Sequence, residues 1–473
     1  MHPIHLTPIL ALATVLAAQN PPAGFTYQTV TDGVLNLGSS MAFAPDGRLF
    51  LAQRTTGQIR VVQDGALQAA VWATVPVLNS STSEQGLLGI AIDPAFLQNG
   101  FVYVYYTTPD QQQNRIGRLQ EVGGQGVNFT VLTPNLAIPT GGVTIHNGGR
   151  LVFGFDGMLY AGTGDRAQTA LAQQTTNWNG KVLRFAPPNL TIPADNPFPG
   201  SPIWSYGHRN QFGLTVHPVT GDLFQTENGQ NTTDEVNRIV RGGNYGWPTY
   251  EGNEPVPNPA TEDPLATYSP TPDPTGTCFY SGTNYPANYV NSWFFVEYTA
   301  GRVRKLDLDA TATQVVSQTI FDDLPGRAFD IQMGPDGNLW VLHNDALVRG
   351  GDEIGRYVHQ SEAVPSIHLM AVSNQTIGGA LTFGFHGQNG DLFVPWVSAS
   401  QLTPPVPTPF GDQHVPIDLL LPLRFVTADD RAYLGLSVPF DPAFVGVTLY
   451  TQAARFDASG QIQATGYDSI TLR

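Results

Sequence analysis

Cysteine is nearly absent from the chain: Cys278 is the only one in 473 residues. No intramolecular disulfide and no thiolate-built zinc or iron–sulfur site is therefore open to it, and stability must come from packing and from any bound ion. Charge is also sparse, at 13% of residues, and weighted to one sign, with 22 basic against 38 acidic side chains and a formal net charge of −16. A field of that sign repels phosphate backbones and anionic lipid surfaces, which excludes nucleic acid and a peripheral membrane role from the expected partners. No apolar stretch reaches the roughly 20 residues of a membrane-spanning helix, so no membrane span is expected. The longest run, residues 6–18, leads into Gln19-Asn20-Pro21-Pro22. It predicts a signal peptide over residues 1–18 and a secreted or periplasmic protein, although His2 and His5 stand where Lys or Arg is usual. Helical periodicity is missing as well, and 50 Gly with 38 Pro favour turns over long helices.

What the chain does have is repetition. A phrase of two short apolar runs around a turn of Asp-Gly or Thr-Gly type occurs at 41–50 (MAFAPDGRLF) and returns at 151–160 (LVFGFDGMLY), 214–224 (LTVHPVTGDLF) and 331–340 (IQMGPDGNLW). A looser copy fills 90–105, and residues 289–308 read as a copy whose first hairpin has drifted. Each is a β-hairpin, and several are followed by a third run ending in Arg and an apolar residue, such as GKVLRF at 180–185. Repeated antiparallel units with no helices between them predict an all-β fold, a six-bladed β-propeller over residues 25–360. After Tyr357 the phrase stops. Spaced strands at 380–385, 391–397, 432–438 and 447–454 predict a C-terminal β-sandwich over 365–473, with the stretch LTPPVPTP at 402–409 as a loop. The scattered His368, His386 and His414 suggest no site there, and the sandwich is read as an accessory domain for attachment or carbohydrate contact.

Chemistry in a propeller gathers where loops from every blade meet the central channel. His146 falls just before an inner strand and would face that channel, either as a general base or as a hydrogen-bonding residue at a blade mouth. Between residues 227 and 235, Glu227, Asn228, Gly229, Gln230, Asp234 and Glu235 collect hard oxygen ligands suited to calcium, although metal-free acidic loops share that composition.

Five segments carry a family resemblance: 83–96 (SEQGLLGIAIDPAF), 146–165, 203–210 (IWSYGHRN), 229–237 (GQNTTDEVN) and 242–248 (GGNYGWP). In this order and spacing the chain resembles the soluble glucose/sorbosone dehydrogenase family, whose quinoprotein members use pyrroloquinoline quinone (PQQ) and calcium on a six-bladed propeller. The resemblance implies His146 as catalytic base, with Arg209 and Asn210 contacting cofactor and substrate. It implies Glu84, Thr271 and Arg327 as further cofactor contacts, Glu84 standing where the glucose enzyme has Gln. Gly229 and Gln230 match the positions whose carbonyls hold calcium, Gln230 replacing a proline, and Asp234 or Glu235 would border that site. Three further departures are plain: Ile145 stands where an Asp precedes the base, Thr299 replaces a cofactor-binding Lys, and Phe329 replaces one of two Arg. A tricarboxylate needs cationic partners, so the last two weaken the expected clamp and leave Arg209, Arg327, Arg302 and calcium to supply it.

The implied reaction is oxidation of an aldose at its anomeric carbon to the lactone, with an electron acceptor that the residues do not identify. A non-catalytic propeller that binds glycans or a protein, and a calcium-dependent lactonase, are the alternatives from other classes.

Overall fold

The computed structural model describes residues 20–472 except 36, 81–82, 111–112, 134–137, 140–142, 231, 254–259, 345–350, 362–365, 372–377, 427–429 and 440–441. The predicted signal peptide lies outside the described residues. Among them the single α-helix, Phe96–Asn99, is one turn long, and none is long and apolar enough to cross a membrane.

The repeated phrase becomes a blade because its second strand needs cover on both faces. Leu49–Gln53, Leu159–Thr163, Leu223–Glu227 and Trp293–Glu297 are buried at every position, the continuous pattern of a strand packed between two other sheets. Each blade has four antiparallel strands in its main path, with a short extra segment in blades 1 and 2. The innermost strands of blades 1 to 5 are Gly38–Phe43, Leu87–Ile92, Gly148–Phe153, Gln211–Val216 and Pro274–Phe279. Blade 6 joins Arg327–Met333, Leu339–Asn344 and Asp352–His359 to an outermost strand from the start of the chain, Phe25–Leu35. That pairing closes the ring, and each innermost strand touches the next all the way round. One apolar cluster fills the gap between every pair of neighbouring blades. Between blades 5 and 6, Phe25 meets Tyr285, Phe321 and His359 edge-on, with centroids 4.7, 5.0 and 4.6 Å apart.

Blade 5 departs from the expected phrase. Residues 289–308 carry its second and third strands, Trp293–Glu297 and Arg302–Leu308, while its first strand, with the buried Cys278, lies upstream. A long connection with a 3₁₀ turn at Ala287–Tyr289 replaces the tight turn there, so the phrase has no turn to show.

Beyond the propeller, Ser366–Ala371, Ala380–His386 and Arg431–Ser437 make one sheet, and Leu392–Ser398, Thr448–Phe456 and Ile462–Thr471 make most of another. A separate core with Phe383, Phe385, Phe393 and Leu434 joins them into a sandwich. The proline-rich stretch is more ordered than a loop, with Val406–Thr408 paired to Gly411–Gln413. The sandwich rests on the hairpin turns of blades 1 and 6. Thr382 Oγ1 donates to the Pro45 carbonyl at 2.9 Å, and Gly384 lies so close to the Pro335 carbonyl that a Cβ would sit 2.1 Å from it.

One ion pair crosses the channel. Arg150 on the innermost strand of blade 3 reaches Asp330 on that of blade 6, the opposite blade, with Nη1 to Oδ2 at 2.8 Å and both side chains buried. The guanidinium also donates to the carbonyls of Phe212 and Phe329, and Asp330 accepts from the Met41 N–H at 2.7 Å. Arg150 lines the cavities above and below it, of about 480 and 150 Å³, so the pair forms a floor between them. Met370 of the sandwich lines the lower one. Replacing Asp330 by Ala leaves a buried guanidinium without its counter-charge, and chemical denaturation is expected to show a loss of about 3–5 kcal/mol.

Candidate active site

The upper cavity opens at the end of the ring where innermost strands begin and second strands end. In blade 3, Gly148 pairs with Thr163, and continuing that register two residues outward sets His146 opposite Asp165. Nδ1 of the imidazole lies 2.7 Å from Asp165 Oδ1, so the carboxylate fixes the proton on Nδ1 and leaves the lone pair on Nε2. Nε2 makes no hydrogen bond among the described residues. Asp165 is itself fully buried, held by the Trp247 indole N–H at 2.8 Å and the Ala167 N–H at 2.7 Å. His146 adopts φ of +57°, and its N–H donates to Glu84 Oε2 at 2.6 Å. Gly164 makes room for this turn, since a Cβ there would stand 2.0 Å from the His146 carbonyl oxygen.

Arg209 and Asn210 come from the start of blade 4. The Arg209 backbone N–H donates to Glu227, its Nη1 to the Asn228 carbonyl at 2.8 Å, and its guanidinium sits 5.5 Å from the Trp247 ring centroid. Its Nε is buried with no partner among the described residues, as is Oδ1 of Asn228. Asn210 is buried, accepts from the Gly148 N–H at 3.2 Å and approaches Glu84 at 3.5 Å. Glu84, Gly148 and Asn228 line the cavity, so His146, Arg209 and Asn210 are each bonded to its wall. Next to Arg209 in the chain, His208 is wholly buried between Ser205 and Glu227, and burial pushes its pKa well down while raising that of Glu227 to about 8.

The predicted cation loop follows blade 4's second strand. Asp234 Oδ1 accepts from the Gly229 N–H at 2.8 Å, its Oδ2 accepts from the Asp273 N–H, and Glu251 accepts from the Gln230 N–H. The carbonyls of Gly229 and Gln230 accept no hydrogen bond among the described residues. Burial raises Asp234 to about 6 and Glu235 to about 8, the latter also repelled by Glu227 directly across the strand pair. Among the described residues no three His, Cys, Asp or Glu side chains group as a metal site, so a cation here would depend on carbonyl oxygens.

Arg327 lines the cavity and donates to the Tyr298 hydroxyl at 2.8 Å. Thr271 lies two residues before Asp273, which lines the cavity with Thr275. Of the departures, Ile145 lines the cavity, while of the two that remove a cation Thr299 bonds Asp273 and Phe329 packs edge-on against Tyr298 with centroids 5.4 Å apart. Sequence reasoning assigned no role to Asp165, Trp247, Tyr298 or Arg54. Register finds the first; Arg54, the residue just after blade 1's second strand, occupies the place that Asn228 takes in blade 4.

The family model described as glucose/sorbosone dehydrogenase matches residues 35–349. The aldose sugar dehydrogenase YliI of Escherichia coli is 28% identical over 368 residues, covering 72% of this chain and 95% of that protein. Quinoprotein glucose dehydrogenase B of Acinetobacter calcoaceticus is 34% identical over 249 residues, 46% of this chain and 51% of its own length. The solved PQQ-bound aldose sugar dehydrogenase of Streptomyces coelicolor is 32% identical with a TM-score of 0.60, covering 72% of this chain and 99% of that one.

Asp165→Asn keeps the shape of the His146 support but removes its charge. The expected result is a mixture of imidazole tautomers in place of the Nδ1–H form, read from the ¹⁵N chemical shifts of His146.

Proposed function

The chain belongs to the glucose/sorbosone dehydrogenase family, and from that premise we propose that it oxidises the anomeric carbon of an aldose to the lactone, with PQQ and calcium at the channel mouth. The observation that carries the reading is the His146–Asp165 pair, with an unengaged Nε2 beside a cavity that has guanidinium groups in and around it. An exported enzyme acting on free sugar fits the apolar run at residues 6–18.

The residues present suit a flat polyanionic cofactor. The unpartnered buried Nε of Arg209 and the guanidinium of Arg327 offer charge-assisted donors to carboxylate or quinone oxygens, and a cavity of about 480 Å³ suits a fused-ring molecule. Arg209, Asn210, Thr271 and Arg327 would hold it, with Glu84 beside Asn210. When bound, PQQ supplies the acceptor for the hydride that leaves the sugar carbon. Gly229 and Gln230 would offer their carbonyls to calcium, because Asp234 and Glu251 already engage the N–H groups of that turn.

The chain's own part is proton transfer and charge stabilisation. His146 Nε2 accepts the proton of the anomeric hydroxyl, and Asp165 stabilises the imidazolium that results. Trp247 and Ala167 keep the carboxylate in place, so the base need not reorganise during the reaction. Glu84 holds the backbone that aims the ring.

His146→Ala is expected to lower kcat about 10²–10⁴-fold with PQQ binding retained, the usual worth of a general base. Arg209→Ala should weaken binding and turnover together. Both are read by dye reduction alongside a PQQ titration; wild-type turnover in His146→Ala would remove the base assignment. Adding calcium to the chelated protein should raise its melting temperature, and Gly229→Val, which crowds the turn carbonyls, should abolish that rise.

A further inference from the structure

Every described arginine but one has a side-chain partner. Arg48, Arg150, Arg184, Arg302 and Arg455 pair with carboxylates, and even exposed Arg241 caps a carbonyl. Arg54 is the exception: its guanidinium makes no hydrogen bond or ion pair among the described residues, although it is half-buried and lines the upper cavity. Its backbone is fixed between blades, donating to the Leu37 carbonyl and accepting from the Leu87 N–H at 2.9 Å.

Nearby acids do not neutralise it by contact. Glu84 is occupied by the His146 N–H, and Asp352 by Gly38 and Asn344. Burial therefore outweighs their attraction and lowers the Arg54 pKa. A desolvated guanidinium without a counter-ion is costly to keep in a folded protein, and this chain has an excess of carboxylates from which to supply one.

The missing cations lie next door. Phe329 stands at the start of blade 6 and Thr299 beside Asp273, both at positions where the family pattern has a positive charge, and blade 1 is the neighbour of blade 6 in the closed ring. We propose that Arg54 is a ligand-binding cation of this cavity, which takes over from Thr299 and Phe329 the pairing of an anionic carboxylate on the bound cofactor. This rests on the reading of the cavity as a PQQ site. Arg327, tied to Tyr298, and Arg54 then present two forks from adjacent blades to one polyanion.

The test is a titration of apoprotein with PQQ in saturating calcium, followed by tryptophan fluorescence, together with the melting temperature of each apoprotein. Arg54→Gln should raise the Kd about 10–100-fold, the range of one lost charge-assisted hydrogen bond, while leaving the apoprotein melting temperature unchanged or higher. Arg54→Lys, which keeps the charge but not the fork, should lie between. Wild-type affinity in Arg54→Gln overturns the assignment and leaves the PQQ site standing. No PQQ binding by the wild-type protein overturns both. A lower apoprotein melting temperature in both variants gives Arg54 a structural role and overturns the assignment as well.

Discussion

The channel depends on the ion pair between Arg150 and Asp330. Six innermost strands leave a tube along the axis, and two buried groups from opposite blades fill its middle, each satisfied by backbone partners from further blades. Burial raises the pKa of Asp330, and the nearby guanidinium of Arg150 works against it. With the middle filled, the upper cavity has a polar floor, and His146, Arg209 and Asn210 are bonded to its wall.

Above that floor the site is assembled by register. An innermost strand and the strand next to it run antiparallel, so the one or two residues before the first and the one or two after the second share a place at the mouth. This one rule puts Asp165 against His146, Asn228 beside Asn210 and Arg54 beside Leu37. The loops differ in chemistry because each blade contributes a different pair to the same ring of positions, and an imidazole and several guanidinium groups meet without being neighbours in sequence.

Much of this was legible from the residues. Alternating runs around Asp-Gly or Thr-Gly turns disclosed four of the first hairpins, because in those blades the turn is tight and its chemistry is stereotyped. Blade 5 was counted from residues 289–308, but its first hairpin escaped for the converse reason: the connection from Cys278 to Trp293 is long and carries its own 3₁₀ turn. His146 and Arg209 stood out through their motifs, whereas Asp165 could be assigned a role only once Gly148 was known to pair with Thr163. Arg54 left no trace at all in sequence, since what distinguishes it is the absence of a partner, and absence is visible only when every neighbour has been placed.

The way the ring closes sets an order on how the molecule can form. Phe25–Leu35 is the first strand of the propeller to be made, and its partner Asp352–His359 is the last. As the chain grows, blades 1 to 5 can each pair their own strands, but the opening strand must wait as an unpaired edge until the final blade arrives. Until then the blades form an open arc whose end faces, later sealed by the clusters around Phe25 and Trp340, remain exposed. The interval before closure is therefore when this chain is most exposed to aggregation, and any factor that shields its first strand acts during synthesis rather than on the finished protein.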